Sequence, residues 1–501
     1  MWGMSAGSRV TTLADMADEP AAFSPVSAPP TPPPPTLPAP GRAGWWRWVE
    51  IGGAITLIAL AAIGMLIFFG YNIGPAGLAI GLTAAILPVP LLASAFVWLD
   101  RYEPEPAKYL IYCFAWGAAV ATAVALIVNS GSAWLFDKIG LPDALVAVLV
   151  APLIEESMKF LGPLLLFWRR RKEWSGITDG IVYCGLSALG FAMVENVLYL
   201  GGHGYAKGAA DYGPATGLQN VFLIFIVRIL FTGFAHPLFT SMAGIGLGIA
   251  ARSGDRTVRR LAPIAGLVLA MILHGIFNLL PTLSVATGET LIMLYGYLGF
   301  MVPLFFTVVG FAIAWRSWEG RLAERVLYPY AEAGWFAPSE VAALGTLGRR
   351  HAAREWARRV AGPIGRRGMR DFQFAATKLA LLRDGLTRGL PRTPVEMDRA
   401  VQEERDLLIA ISGHRSAFAG RDPQTPPSWW DGRHYRITFP DGVVRTVAPP
   451  PEPVMPVPIV LPTMPVGYAS PPPGYAGPPP FAPPPADPSA PVVRHPLPPQ
   501  R

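Results

Sequence analysis

Three ionisable residues stand where a membrane-spanning helix ordinarily carries none. The stretch from Ala144 to Phe167 is apolar and long enough to cross a bilayer, yet Glu155, Glu156 and Lys159 sit near its middle. At the centre of an inserted helix, three charges cost roughly 8 to 10 kcal/mol, against roughly 4 to 8 kcal/mol gained from the surrounding Leu, Val, Ile and Phe side chains. The stretch therefore needs partners. Glu155 and Lys159 lie one helical turn apart and can pair, and other helices can supply polar groups to Glu156. Three further apolar stretches carry such groups: Glu195 and Asn196, then Arg228 and His236, then His274 and Asn278. His274 and Asn278 are four apart and project from one helix face. Counted inward at about 1.5 Å per residue, Glu155, Glu156 and His274 fall near mid-membrane, with His236 somewhat deeper and Glu195 nearer the outer surface.

Carboxylates, two imidazoles and an amide suit two arrangements: a hard or borderline metal with a bound water, or a glutamate general base beside an oxyanion site. Both activate water for hydrolysis. Adjacent glutamates leave a helix about 100° apart, so one can face Lys159 while the other faces the histidines. The i, i+4 spacing gives Lys159 to Glu155 and leaves Glu156 as the expected base. Asn196 reads as an interhelical hydrogen-bond partner, Arg228 and Lys159 as counter-charges, and His203 as a solvated side chain in a Gly-rich loop.

The rest of the chain must place these residues. Its 501 residues are 52% hydrophobic and only 15% charged, the balance of a polytopic membrane protein with polar extensions. Eight apolar spans are expected, at about 51–72, 75–99, 109–128, 144–167, 177–200, 218–249, 262–281 and 290–315, after an interfacial cluster of Trp45, Trp46, Arg47 and Trp48. Basic residues concentrate in alternate loops: Arg101 and Lys108, then Arg169, Arg170, Arg171 and Lys172, then Arg252, Arg256, Arg259 and Arg260. The opposite loops carry only Lys138 and Lys207. This asymmetry predicts a plasma-membrane protein with both termini cytoplasmic. The net charge of +7 is accounted for by these loops and calls for no nucleic-acid partner. Cys113 and Cys184 fall inside predicted spans and form no disulfide framework or thiolate metal site. No secretory signal is legible at the start of the chain.

The expected fold is all-α: a transmembrane bundle over 45–320, a small mostly helical cytoplasmic region over 321–448, and disordered Pro-rich tails over 1–44 and 449–501. Helical spacing is clear over 372–388 and 395–411. An alternating stretch from Tyr435 predicts a hairpin across Pro440, Asp441 and Gly442.

Taken together, Glu155-Glu156-x-x-Lys159, Phe191-x-x-x-Glu195-Asn196, His236, His274-x-x-x-Asn278 and the run Asp100 to Pro106 resemble the PrsW family of bacterial intramembrane proteases. The resemblance covers roughly residues 50 to 320. The family is similar to the wider group containing the CAAX prenyl endopeptidases, in which a His stands where Glu195 stands here. The resemblance implies that the glutamate pair activates water. It also implies that His236, His274 and Asn278, with Glu195, bind a divalent metal such as zinc or stabilise the oxyanion. The implied substrates are membrane-anchored regulatory proteins such as anti-sigma factors, met within the lipid bilayer. Two other functions compete. Buried Glu and His also mark proton- or ion-coupled transporters, although no inverted repeat is evident. A membrane scaffold would use the Pro-rich tails to dock Pro-motif-binding partners, but would not explain the buried carboxylates.

Overall fold

The computed structural model describes residues 43–171, 174–422, 428–439 and 442–451. All but a few inner residues of the expected disordered tails lie outside that range, as do Pro440 and Asp441 of the expected hairpin turn. The membrane region is built from α1 (Ala43–Ile86), α2 (Val89–Leu99), α3 (Ala107–Ala115), α4 (Thr122–Ile139), α5 (Ala151–Arg169), α6 (Ile177–Val197), α7 (Lys207–Tyr212), α8 (Pro214–Phe225), α9 (Ala235–Arg252), α10 (Arg256–Thr287), α11 (Leu291–Gly296) and α12 (Val302–Glu332). Wider π-helical segments join several of these, at Trp116–Ala121, Val146–Val150, Leu198–Ala206, Ile226–Phe231 and Tyr297–Met301.

Among the described residues six helical stretches are long and apolar enough to cross a membrane, against the eight expected. The difference has two sources. The stretch Trp48–Leu99 runs as 52 residues, interrupted only by a kink at Gly74, at a φ of 72° and followed by Pro75, and by a turn at Leu87 and Pro88. The helix bearing Glu155, Glu156 and Lys159 is not among the six, because it carries three charged residues in the middle of its apolar run.

Helix α6 is the centre of the bundle and is almost wholly buried, whereas α10 and α12 leave much apolar surface facing outward. Contacts between α6 and α9 are close because glycine meets glycine. A Cβ on Gly180 would lie 2.0 Å from the Gly244 carbonyl oxygen, and one on Gly244 would lie 2.2 Å from that of Gly180. Small residues at such seams let membrane helices approach backbone to backbone. Gly180→Ala is therefore expected to lower stability by about 1–3 kcal/mol through overpacking. Gly131→Ala, with open space around it, should leave the thermal midpoint of the purified protein unchanged. Equal midpoints for the two variants would refute the seam.

Helix α12 continues out of the bundle into the C-terminal region, where α13 (Pro338–Leu344), α14 (Leu347–Thr387) and α15 (Pro394–Arg415) follow. Thr393 and Glu396 close a capping box at the start of α15. Leu327, Phe336, Leu344, Phe372, Leu379 and Phe418 form the core of this region. The mostly helical expectation needs correcting, because the region also holds a three-stranded antiparallel sheet, β1 (Ser428–Trp430), β2 (Tyr435–Thr438) and β3 (Val444–Val447). Strands β2 and β3 pair with Tyr435 opposite Val447, as the alternation predicts; β1 is three residues long and too short to alternate visibly.

Two buried arginines fasten this region to the bundle. Arg350 donates to the backbone oxygens of Leu344 and Tyr102 and to Thr377 Oγ1, at 3.0, 3.0 and 2.7 Å. Arg252, at the end of α9, pairs with Asp384 at 2.6 Å. The loop reached by Arg350 holds Asp100, Glu103 and Glu105. Burial, reinforced by the neighbouring Asp179, raises these carboxyls to about 9, about 8 and about 11. A raised carboxyl holds its proton when folded and releases it when unfolded. The stabilisation is thus complete below the ordinary carboxylate range and is lost as pH rises through about 8 and 9. Hydrogen exchange at residues 100–106 is expected to be slower at pH 6 than at pH 9 after correction for intrinsic rates. The reverse order would contradict this account.

Candidate active site

The charged face of α5 is fully enclosed: Glu156 and Lys159 have no exposed surface and Glu155 is 6% exposed. Lys159 Nζ lies 3.2 Å from Glu155 Oε2, 2.9 Å from Glu156 Oε1 and 3.0 Å from His236 Nδ1. It also sits 4.0 Å from the ring centroid of Phe191 on α6. An ammonium has three donors, and here each finds an acceptor while an aromatic face covers the remaining side.

The two glutamates differ in what else they meet. Glu156 is saturated: His274 Nδ1 reaches its Oε1 at 2.9 Å and Thr240 Oγ1 donates to its Oε2 at 2.6 Å. Glu155 accepts from Asn129 Nδ2 at 3.2 Å, and its Oε2 lies 3.9 Å from His274 Nε2. The expectation that Lys159 pairs with Glu155 and leaves Glu156 free of it does not match this geometry. The i, i+3 spacing serves Glu156 as well as i, i+4 serves Glu155, and the lysine spans both.

Each imidazole is held from behind by a carboxylate. His236 Nε2 meets Glu195 Oε2 at 2.9 Å, and His274 Nδ1 meets Glu156. These partners assign the tautomers, because a ring nitrogen within hydrogen-bond distance of a carboxylate is the protonated one, and His274 Nε2, at 3.9 Å from Glu155, is not. The lone pairs that remain are on His236 Nδ1, which faces Lys159, and His274 Nε2, which faces Glu155. The rings cross edge to face at 5.0 Å, and Phe239 stacks on His274.

Other expected residues are placed less centrally. Arg228 donates to Glu195 at 2.5 Å and to Asn196 Oδ1 at 3.2 Å, so both residues belong to the support of His236. Asn278 is drawn away, its Nδ2 donating to the Ala147 carbonyl at 2.9 Å in the π-helical segment ahead of α5. His203 is exposed beside Tyr199. Cys113 and Cys184 are buried and unlinked. Thr240 and Asn129 are contributors the spacing did not reveal, since a lone Thr or Asn in an apolar span has no periodic signal. A break in the helix bearing His236, at Thr232–Phe234, was also missed, because the apolar run from 218 to 249 is uninterrupted in composition. Gly233 and Pro237 are its only marks.

The donor set accommodates a cation. Glu155, His236 and His274 each offer one ligand atom, all within 4.8 Å of one another and all buried. Counting formal charges, Glu155, Glu156 and Glu195 exceed Lys159 and Arg228 by one negative charge. Two neutral imidazoles and a carboxylate are ligands a divalent metal takes.

Residues 105–309 match the model of the PrsW family intramembrane metalloproteases. The protease PrsW of Geobacillus kaustophilus is 29% identical over 197 residues, 39% of this chain and 77% of that protein. The Bacillus subtilis protease PrsW is 28% identical over 203 residues, 40% and 82% of the two chains, and that of Clostridioides difficile 27% over 218 residues, 41% and 82%. No solved structure matches. These relatives are bacterial, and with the multi-span architecture they place the chain in a bacterial membrane. The match also removes support for the transport reading. The matched stretch contains every residue of the buried glutamate–histidine cluster, and over that stretch the chain is similar to the PrsW family of intramembrane metalloproteases.

Proposed function

We propose that the chain hydrolyses peptide bonds in the membrane segments of membrane-anchored proteins, regulatory proteins of the anti-sigma class among them. The observation that carries this reading is the convergence of Glu155, His236 and His274 on one enclosed point, each fixed by a second polar side chain. In this reading Glu155 Oε2 takes the proton of the attacking water, being the least encumbered carboxylate beside the free His274 Nε2. Glu156 and Glu195 orient the two imidazoles, Lys159 balances the glutamate pair, and Arg228 with Asn196 steadies Glu195. His236 and His274 are the residues that would hold a divalent ion, with Glu155 beside them as the proton acceptor; zinc suits imidazole ligands, and when bound it would polarise the scissile carbonyl and acidify water. Asn278, committed to Ala147, stands outside this set.

The direct test incubates purified full-length protein in lipid vesicles with membrane-spanning candidate substrates, with and without a chelator. Cleavage that the chelator stops and zinc restores supports the reading, and cleavage indifferent to both removes the metal from it. For topology, we assign eight crossings with both termini cytoplasmic, on the loop charges. Reporters fused after Gly202 and after Arg256 should then report opposite sides, and a shared side would refute the assignment.

A further inference from the structure

The carboxylate of Glu155 is held from two sides. Lys159 Nζ stands 3.2 Å from its Oε2, and Asn129 Nδ2, reaching across from α4, donates to its Oε1 at 3.2 Å. A single donor would leave the carboxylate free to turn about the bond that carries it, whereas a donor on each oxygen sets its plane. Asn129 makes no other hydrogen bond among the described residues, and its Oδ1 is buried without a donor.

A helical asparagine has a local place for its amide. Asn72 on α1 uses it, donating to the Phe68 carbonyl one turn back at 2.7 Å. Asn129 forgoes that bond, although it lies in the apolar stretch Ala107–Ile139, where an amide oxygen without a donor costs stability. Packing alone does not account for such an arrangement, since buried polar groups left bare concentrate where stability is given up for function. Chemistry also assigns the direction of the amide. An ionised carboxylate only accepts, so the NH₂ edge faces Glu155 and the oxygen is turned away.

We propose that Asn129 is a positioning residue for hydrolysis, one that decides which oxygen of Glu155 takes the proton of the attacking water. The proposal rests on the protease reading. A protonated carboxyl carries its hydrogen on one oxygen only. With Asn129 Nδ2 donating to Oε1, that hydrogen belongs on Oε2, the oxygen 3.9 Å from His274 Nε2. The proton leaves water as the water oxygen bonds to the scissile carbonyl carbon, rests on Oε2, and passes to the leaving nitrogen as the C–N bond breaks. Asn129 keeps its bond to Oε1 throughout and exchanges no proton. A hydrogen on Oε1 would instead confront the amide hydrogens, and Asn129 would have to turn over before the carboxyl could settle.

The test is a double-mutant cycle on full-length protein in lipid vesicles, read with synthetic membrane-spanning peptides that the parent cleaves. Asn129→Leu should lower kcat about a hundredfold at unchanged KM, the scale for a reacting group displaced by about 1 Å. In the Glu155→Gln background the same substitution should add almost nothing, because the acceptor it positions is already gone. The thermal midpoint of Asn129→Leu should not fall, since the bare oxygen leaves together with the donor. A merely structural link between α4 and α5 behaves in the opposite way: the midpoint falls and the two rate losses multiply. Asn129→Ala, which removes the donor without adding bulk, repeats each measurement in case Leu crowds the contact. Parental kcat, a loss confined to KM, multiplying losses, or a fallen midpoint in both variants would overturn the proposal while hydrolysis stands. If the parent cleaves no such peptide, the protease reading fails and this proposal falls with it.

Discussion

Glu155→Gln is expected to insert and fold like the parent chain and to cleave about 10²–10⁴ times more slowly, the range for loss of a positioned proton acceptor. Glutamine keeps one oxygen for Lys159, and its NH₂ can donate to Asn129 Oδ1 once that amide turns over, but it neither takes a proton nor carries the charge that faces His274. Glu156→Gln should behave differently. Three donors converge on Glu156, from Lys159, His274 and Thr240; glutamine leaves the buried Lys159 with one carboxylate fewer and makes Thr240 turn its hydroxyl hydrogen to the His236 carbonyl and accept instead. That variant should lose thermal stability as well as activity. The pair of measurements, cleavage rate and thermal midpoint, separates the reacting carboxylate from the orienting one. Normal cleavage by Glu155→Gln, or an unchanged midpoint in Glu156→Gln, would show the roles to be wrongly assigned.

Lys159→Met should destabilise the chelator-treated protein by about 3–5 kcal/mol, because it strands two carboxylates in the bundle without their cation. Met keeps the straight apolar stem, so packing against Phe191 is largely retained. Added zinc should raise the melting temperature of this variant more than that of the parent. In the parent, Lys159 Nζ already holds the His236 Nδ1 lone pair at 3.0 Å and competes with a metal for it. Melting in chelator indistinguishable from the parent would mean the ammonium contributes nothing to the pair. An equal zinc response would mean it does not compete.

The sequence made the buried cluster legible because ionisable residues in apolar spans are costly, and each one therefore advertises a partner. Glu155, Glu156, Lys159, Glu195, His236 and His274 all meet as that argument requires. What spacing could not show was division of labour within the cluster. Two adjacent glutamates look equivalent in sequence, and only the approach of α9 and α10 gives one of them Thr240 and His274. Asn278 shares a helical face with His274, yet the Val146–Val150 segment presents it with a carbonyl first. The six apolar stretches differ from the eight expected spans where apolar length is a poor guide: the helix with three central charges falls outside the apolar criterion, and the run across Gly74 reads as one stretch.

The arginine fastenings bear on how the molecule can be cut. The stretch that matches the family model ends at residue 309, which suggests a minimal catalytic piece that stops there. Such a piece would remove Arg350 from the Tyr102 carbonyl and Asp384 from Arg252. It would leave an arginine stranded at the far end of the same helix that carries His236. A shortened chain that keeps these fastenings must therefore run beyond Thr387, the end of α14. Cutting this chain at the end of the family match would make a truncation, not a domain.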